Sequence, residues 1–271
     1  MNFYPVLVYF IGAFLAGFLW LQNPDGSIAV AEVTKIISQI EQNDVIYLGE
    51  NHNSLANHQA QLEIITQLYQ NQANSNEELA IALEMFQRPF QPILDRYVES
   101  KISEAELLEQ TKYNSRWGFD WEFYAPILRF AQDKQISLIA LNTPAEITRK
   151  VAESGINSLK GNDFRYIPPL KDIKLDNKAY RQRLTEVYQQ HLESEQGNSN
   201  DAENFFAAQV LWDETMAEAI ALYYQNHPHA QIAVLVGKAH IMNNYAIPDR
   251  VARRINNPAF TQVSLPLGEA E

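Results

Sequence analysis

Val45–His52 reads VIYLGENH: four apolar residues run into a glycine, a glutamate, an asparagine and a histidine. A short apolar run bounded by turn residues is the signature of a strand buried on both faces. Gly49 is expected to end that strand, with Glu50 and His52 on the loop beyond it. Asn53 or Ser54 can then cap a following helix. An acid and an imidazole would stand at the carboxyl end of a buried strand, where open α/β sheets bind their ligands.

The pattern recurs along the chain. LAIALEM at Leu79–Met85 brings Glu84 to the end of a second apolar run. ISLIALNT at Ile136–Thr143 does the same for Asn142, and IAVLVGKAH at Ile232–His240 for Gly237 and His240. Between these runs apolar residues recur at helical spacing, as in Leu55, Leu62, Ile65 and Tyr69, or Trp212, Met216, Ile220 and Tyr223. Strands alternating with helices predict an α/β fold with a mostly parallel sheet flanked by helices. If the strands are parallel, the polar residues at their ends line one crevice. Phe260–Leu267 reads as a final edge strand.

Two connections, about residues 87–135 and 146–230, are too long for simple crossovers and predict a smaller helical subdomain beside the crevice. Helix signals are plain inside them. Ser103–Glu106 has the form of a capping box. Asp120 is placed to cap a helix that Pro126 must start or kink. Thr143-Pro144-Ala145-Glu146 is a start signal, and Gly155 a stop.

Phe3–Leu21 carries no charge, with Tyr4 and Trp20 near its two ends. Such a run is just long enough to span a bilayer as a helix. Residues 1–22 are therefore expected to be a hydrophobic anchor or signal segment, and 23–271 the α/β domain. No Lys or Arg precedes the run, so an uncleaved anchor is the preferred form. The net charge of −12 and the pI near 5.0 argue against a nucleic-acid partner. Arg250, Arg253 and Arg254 are a local exception, read as a solvated helix face. There is no cysteine, which excludes disulfides, thiolate metal sites, thiol catalysis and cysteine lipidation.

His52 and His240 close strand-end loops of the forms G-E-x-H and G-x-x-H. Imidazoles so placed serve as metal ligands or general bases, or else fix the loop. Glu84 at a buried strand end needs a partner or a cation. Arg88 is its candidate partner. Glu50, His52, Glu84 and His240 are thus the candidate metal set, with Glu50 and His52 the candidate catalytic pair. His58 lies on an apolar helix stripe and reads as a core histidine or a supporting group. The dense set Trp117, Phe119, Trp121, Phe123 and Tyr124 either walls a pocket for a flat apolar ligand or forms a subdomain core. Arg88, Trp117, Trp121, Tyr124 and Asn142 are the candidates for contacting a cofactor. His191 is a further candidate haem ligand, at an interface.

Six stretches resemble the ChaN-like haem-binding uptake proteins, a family in a superfamily with the Tiki-type metalloproteases and the erythromycin esterases. They are LGENHNSLANHQAQ (Leu48–Gln61), LEMFQRPFQPILDRYV (Leu83–Val98) and RWGFDWEFYAPIL (Arg116–Leu128). IALNTPAEITRKVA (Ile139–Ala152), FFAAQVLWDETMAEAI (Phe205–Ile220) and VGKAHIMNNYAIPDRVARR (Val236–Arg254) complete the set. The resemblance implies an α/β domain with a smaller helical domain, haem as cofactor, a homodimer, and haem or iron handling outside the cytoplasm. From the wider superfamily it implies that Glu50, His52, Glu84 and His240 share one polar cleft that binds a metal or acts in hydrolysis. Two departures stand out. Lipoprotein members carry an N-terminal cysteine, absent here, and the histidine-rich tract of some relatives is absent around His191–Asn200.

The expectation is a membrane-anchored, extracytoplasmic protein that binds haem or iron. The competing reading is a hydrolase that holds a divalent metal ion in the same cleft. A third is a non-catalytic scaffold.

Overall fold

Strands β1 (Val45–Glu50), β2 (Glu78–Gln87), β3 (Ser137–Asn142), β4 (Ala230–Gly237) and β5 (Gln262–Pro266) form one sheet in the order β3-β2-β4-β1-β5. Every pairing is parallel. These positions come from a computed structural model that describes residues 30–72, 78–193 and 201–268. The Phe3–Leu21 run lies outside the described residues. Among those described, no helix is long and apolar enough to cross a membrane.

Helix α1 (Val30–Ile40) leads into β1, and α2 (Leu55–Gln72) joins β1 to β2. Four helices join β2 to β3: α3 (Gln91–Val98), α4 (Glu104–Thr111), α5 (Tyr113–Arg116) and α6 (Trp121–Lys134). Three join β3 to β4: α7 (Ala145–Ser154), α8 (Lys178–Glu193) and α9 (Ala202–Asn226). The last, α10 (Ile247–Arg254), joins β4 to β5.

Alternate residues of each strand face opposite ways, and both faces are covered. Ile46, Leu48, Ile81, Leu83 and Leu235 pack with Ile64, Leu68, Leu94, Leu107 and Tyr124. Val45, Tyr47, Ala82, Val234 and Val236 pack with Met216 and Ile220 of α9 and Val251 of α10. A third cluster joins Val151, Ile167, Tyr180, Phe206, Leu211 and Ala246 beyond the sheet. Full burial of each large aliphatic side chain contributes about 1.5–3 kcal/mol. In the two long connections, α6 and its neighbours build on one face of the sheet and α9 on the other.

Local signals act largely as read. The Ser103 capping box forms in both directions. Asp120 caps α6 by accepting from the Glu122 amide, and Pro126 lies inside the helix rather than at its start. Pro144 takes the cap position of α7, and Gly155 ends that helix with φ +75°. Strand β1 runs one residue further than expected. Glu50 is its last member, paired in register with Gly237 of β4.

Candidate functional site

Strand β4 lies between β1 and β2, so the chain ends of all three meet at one edge. The register of β2 shifts after Leu83, where Glu84 follows. Asn142, ending β3, donates its amide to the Glu84 carbonyl at 2.8 Å. The sheet thus brings Glu50, His52, Glu84, Asn142 and His240 to its carboxyl edge, as parallel strands require.

Glu50 is buried and fully engaged. Its Oε1 accepts from His52 Nδ1 at 2.9 Å and from the Tyr124 hydroxyl at 2.6 Å. Its Oε2 accepts from Gln61 Nε2 at 2.7 Å. His58 stands behind this group, its Nε2 3.1 Å from the His52 carbonyl. Burial and the nearby Glu50 push the Tyr124 hydroxyl far above the ordinary phenol value, so it stays a donor.

The second half of the site is a buried relay. Glu84 Oε2 accepts the Gly237 amide at 2.7 Å, and its Oε1 lies 3.3 Å from His240 Nε2. His240 Nδ1 lies 2.6 Å from Asp213 Oδ1 on α9. Asp213 also accepts from the Tyr180 hydroxyl of α8. Burial alone would lower the His240 pKa, but the charges of Glu84 and Asp213 outweigh it and push it up to about 10. Burial alone would raise the Glu84 pKa, and His240, together with His52 and the Gly237 amide, more than reverses that. His240 is therefore an imidazolium with both N–H groups committed to carboxylates.

His52 is different. Its Nδ1 is oriented by Glu50, and its Nε2 has no hydrogen-bond partner among the described residues. The side chain is 26% exposed, and the rings of Trp117 and Phe119 stand 4.8 Å away. Burial pulls its pKa down, while the Glu50 bond and the charge of Glu84 lift it above the ordinary imidazole value. The cleft thus presents one exchangeable nitrogen, backed by a carboxylate. A Cβ on Gly237 would come within 2.9 Å of that nitrogen, so any larger residue there requires the imidazole to shift.

These commitments bear on the expected metal set. Both nitrogens of His240 face carboxylates, and the Glu84 and Glu50 oxygens already take part in hydrogen bonds or ion pairs within the protein. Among the described residues no group of three or more His, Asp or Glu is placed to hold a metal ion. Glu50, His52, Glu84 and His240 come together at the sheet edge in a network of hydrogen bonds and ion pairs.

The other candidates are dispersed. Arg88 turns away from Glu84 to Glu218 on α9, at 2.6 Å. Trp121 is buried, its indole N–H on Glu104 at 2.8 Å. Tyr124 is buried against Glu50, and only Trp117 and Phe119 of the aromatic set reach His52. The side chain of His191 lies outside the described residues. Arg250, Arg253 and Arg254 are not a solvated face. All three converge on the buried Glu214, whose Oε1 lies 2.6 Å from Arg253 and 3.5 Å from Arg250. Gln61, Asp213 and Tyr180 join the site although nothing in the strand-end pattern marks them. The one signal was a pair of acids, Asp213-Glu214, inside the otherwise apolar run around Trp212 and Met216.

A parallel sheet with a buried carboxylate–imidazole network at its carboxyl edge defines a ligand-binding α/β protein of the open-sheet class. The family follows from comparison. A family model described as haem-binding uptake, Tiki superfamily, ChaN matches residues 36–251, and the chain belongs to that family. Among solved structures it is similar to ChaN of Campylobacter jejuni, described for cofacial haem binding, with a TM-score of 0.68 and 19% identity over 88% of this chain and 86% of that one. An erythromycin esterase in its open conformation gives a TM-score of 0.49 at 12% identity, over 88% of this chain and 73% of that one. By sequence the chain is 25% identical over 219 residues to the chloroplastic protein RETICULATA-RELATED 5 of Arabidopsis thaliana. That match takes in 78% of this chain but only 29% of the relative's length.

Proposed function

We propose that this protein binds haem on the open face at the carboxyl edge of its sheet and serves in haem or iron handling. One observation carries the reading. Of six large apolar side chains exposed among the described residues, Leu55 opens the connection after β1, Met242 and Tyr245 open the one after β4, and Phe164 and Leu170 stand on the segment between α7 and α8; the sixth, Leu222, lies near the end of α9 that leads into β4. The segment bearing Phe164 and Leu170 is tied to this edge at two points. Arg88 donates to the Tyr166 carbonyl at 3.3 Å, and Arg253 to the Asp172 carbonyl at 3.1 Å. Exposed apolar groups gathered on one side mark a binding surface.

Haem also needs an axial ligand, and His, Tyr and Met side chains supply one. Met242 and Tyr245 flank Asn243 and Asn244, both with left-handed backbone. Arg250 holds the Tyr245 carbonyl at 2.6 Å, so the turn that presents these two side chains is anchored. Bound haem would supply iron to this edge, and the chain's own part is to hold the macrocycle flat. Trp117 extends the face toward the cleft. An open face leaves one side of such a ligand bare, which suits a second copy of the chain as cover. The Campylobacter jejuni relative's cofacial haem binding supports the same arrangement.

Haem titration of the purified protein tests this. A saturable new Soret band is expected, and Tyr245→Phe should shift that band and weaken binding about tenfold, or about 1.4 kcal/mol. A wild-type protein that leaves the spectrum of free haem unchanged overturns the reading. The family supports an extracytoplasmic place, with the Phe3–Leu21 run as the attachment to a membrane. Full-length protein should then sediment with membranes, and deletion through Gln22 should release it. Full-length protein in the soluble fraction would end that part of the proposal.

A further inference from the structure

A basic concavity lies on the same edge as the exposed apolar face. It is an open depression of about 280 Å³ lined by Lys112, Ser115, Arg116, Ala145, Glu146 and Arg149. Three cations and one carboxylate leave two positive charges in excess, on a chain whose net charge is −12. Arg116 accounts for the carboxylate: its Nη2 lies 2.7 Å from Glu146 Oε1, and its Nη1 also holds Gln87 at 2.7 Å. Lys112 and Arg149 are the remaining cations, and they supply the excess.

The backbone places these groups together. Lys112 takes a left-handed conformation between α4 and α5, with φ +53°. Arg149 stands one turn inside α7, whose N-terminus begins at Ala145 with no side-chain cap. The partial positive charge of that helix end adds to the cationic lining. Arg116 Nε is buried without an acceptor, a further donor in excess.

The pocket opens after β3 and the Met242–Tyr245 turn after β4, and only β2 lies between those strands. Two strand spacings are about 10 Å. Val151 of α7 and Ala246, beside Tyr245, belong to one packed cluster.

We propose that this pocket is the subsite for the anionic groups of the ligand, and that it takes the two propionate carboxylates of haem lying across the edge. The proposal rests on the haem reading above. Charge-assisted hydrogen bonds from Arg and Lys to carboxylate are the strong ones, and they would fix the macrocycle's orientation where apolar contact cannot.

The test is a Soret titration of the wild type and of the double variant Lys112→Gln/Arg149→Gln. Each is titrated with ferric haem and with haem dimethyl ester, which lacks the carboxylate charges. The wild type should bind haem at least tenfold more tightly than the ester. The double variant should lose that preference for haem and leave ester binding unchanged. An unchanged melting temperature checks the fold of the variant. Equal affinity of the wild type for haem and ester, full retention of haem by the variant, or an equal loss of both ligands each overturns the subsite while leaving haem binding standing. A wild type that binds neither ligand overturns the haem reading, and the subsite with it.

Discussion

Glu214→Gln should be the most destabilising single change outside the hydrophobic core. Glu214 is fully buried and is the common anion for Arg250, Arg253 and Arg254. It also accepts the Lys174 amide at 3.0 Å, tying the segment before α8 to α9. Removing one partner of a buried ion pair costs about 3–5 kcal/mol, because the remaining charge is left uncompensated. Here three guanidinium groups lose their counter-charge, and Arg250 is itself buried. A shortened but charged side chain keeps part of the compensation, so Glu214→Asp should lose less. Urea unfolding of the three proteins measures this. If Glu214→Gln unfolds at the wild-type midpoint, the arginines are held by their carbonyl contacts and not by the carboxylate.

Asp213→Asn is the second large effect, and its signature is in pH. His240 is held protonated well above the ordinary imidazole range, at about 10, with Glu84 and Asp213 as the raising charges. A histidine with a raised folded pKa contributes stability that is complete below its unfolded value of about 6.5. That contribution falls away as pH rises through the folded value. Wild-type stability should therefore decline between about pH 6.5 and 10 by a few kcal/mol, since each tenfold gain in proton affinity on folding corresponds to about 1.4 kcal/mol. Asp213→Asn removes one of the two charges, which brings the His240 titration down and moves the decline to lower pH. Nitrogen chemical shifts of His240 read this directly. In the wild type they should stay at imidazolium values through neutral pH, and in the variant they should titrate. A wild-type His240 that titrates at about pH 6.5, the ordinary imidazole value, would mean the two carboxylates do not hold its proton.

The fold and half of the site could be read from the chain alone. Apolar runs that end in Glu50, Glu84, Asn142 and His240 are local patterns, and parallel pairing turns four local patterns into one edge. What could not be read depends on helices. Asp213 and Tyr180 reach the cleft from α9 and α8, and no spacing in sequence says which side of a helix meets a strand end. Arg250, Arg253 and Arg254 share a helix face by spacing, yet spacing does not say whether that face meets water or a buried acid. The clue lay elsewhere, in two adjacent acids within an apolar helix. Those acids required partners: His240 and Tyr180 meet Asp213, and the arginines of α10 meet Glu214. The aromatic set was legible as aromatic but not as wall or core. Burial of Trp121 and Tyr124 assigns those two to the core, and partial exposure leaves Trp117 to the cleft.

Gly237 shapes this cleft with an atom it does not have. The free nitrogen of His52 stands 2.9 Å from where the missing Cβ of Gly237 would be. A survey that trims side chains one at a time to alanine would treat this position as the mildest in the chain, adding a single methyl group. It is the place where that addition would displace the imidazole, and with it the hydrogen bond to Glu50, while meeting Glu84 only at ordinary contact distance. Variation at position 237 in natural sequences would therefore report on whether a descendant still uses His52, more directly than variation at the histidine's own carboxylate partner.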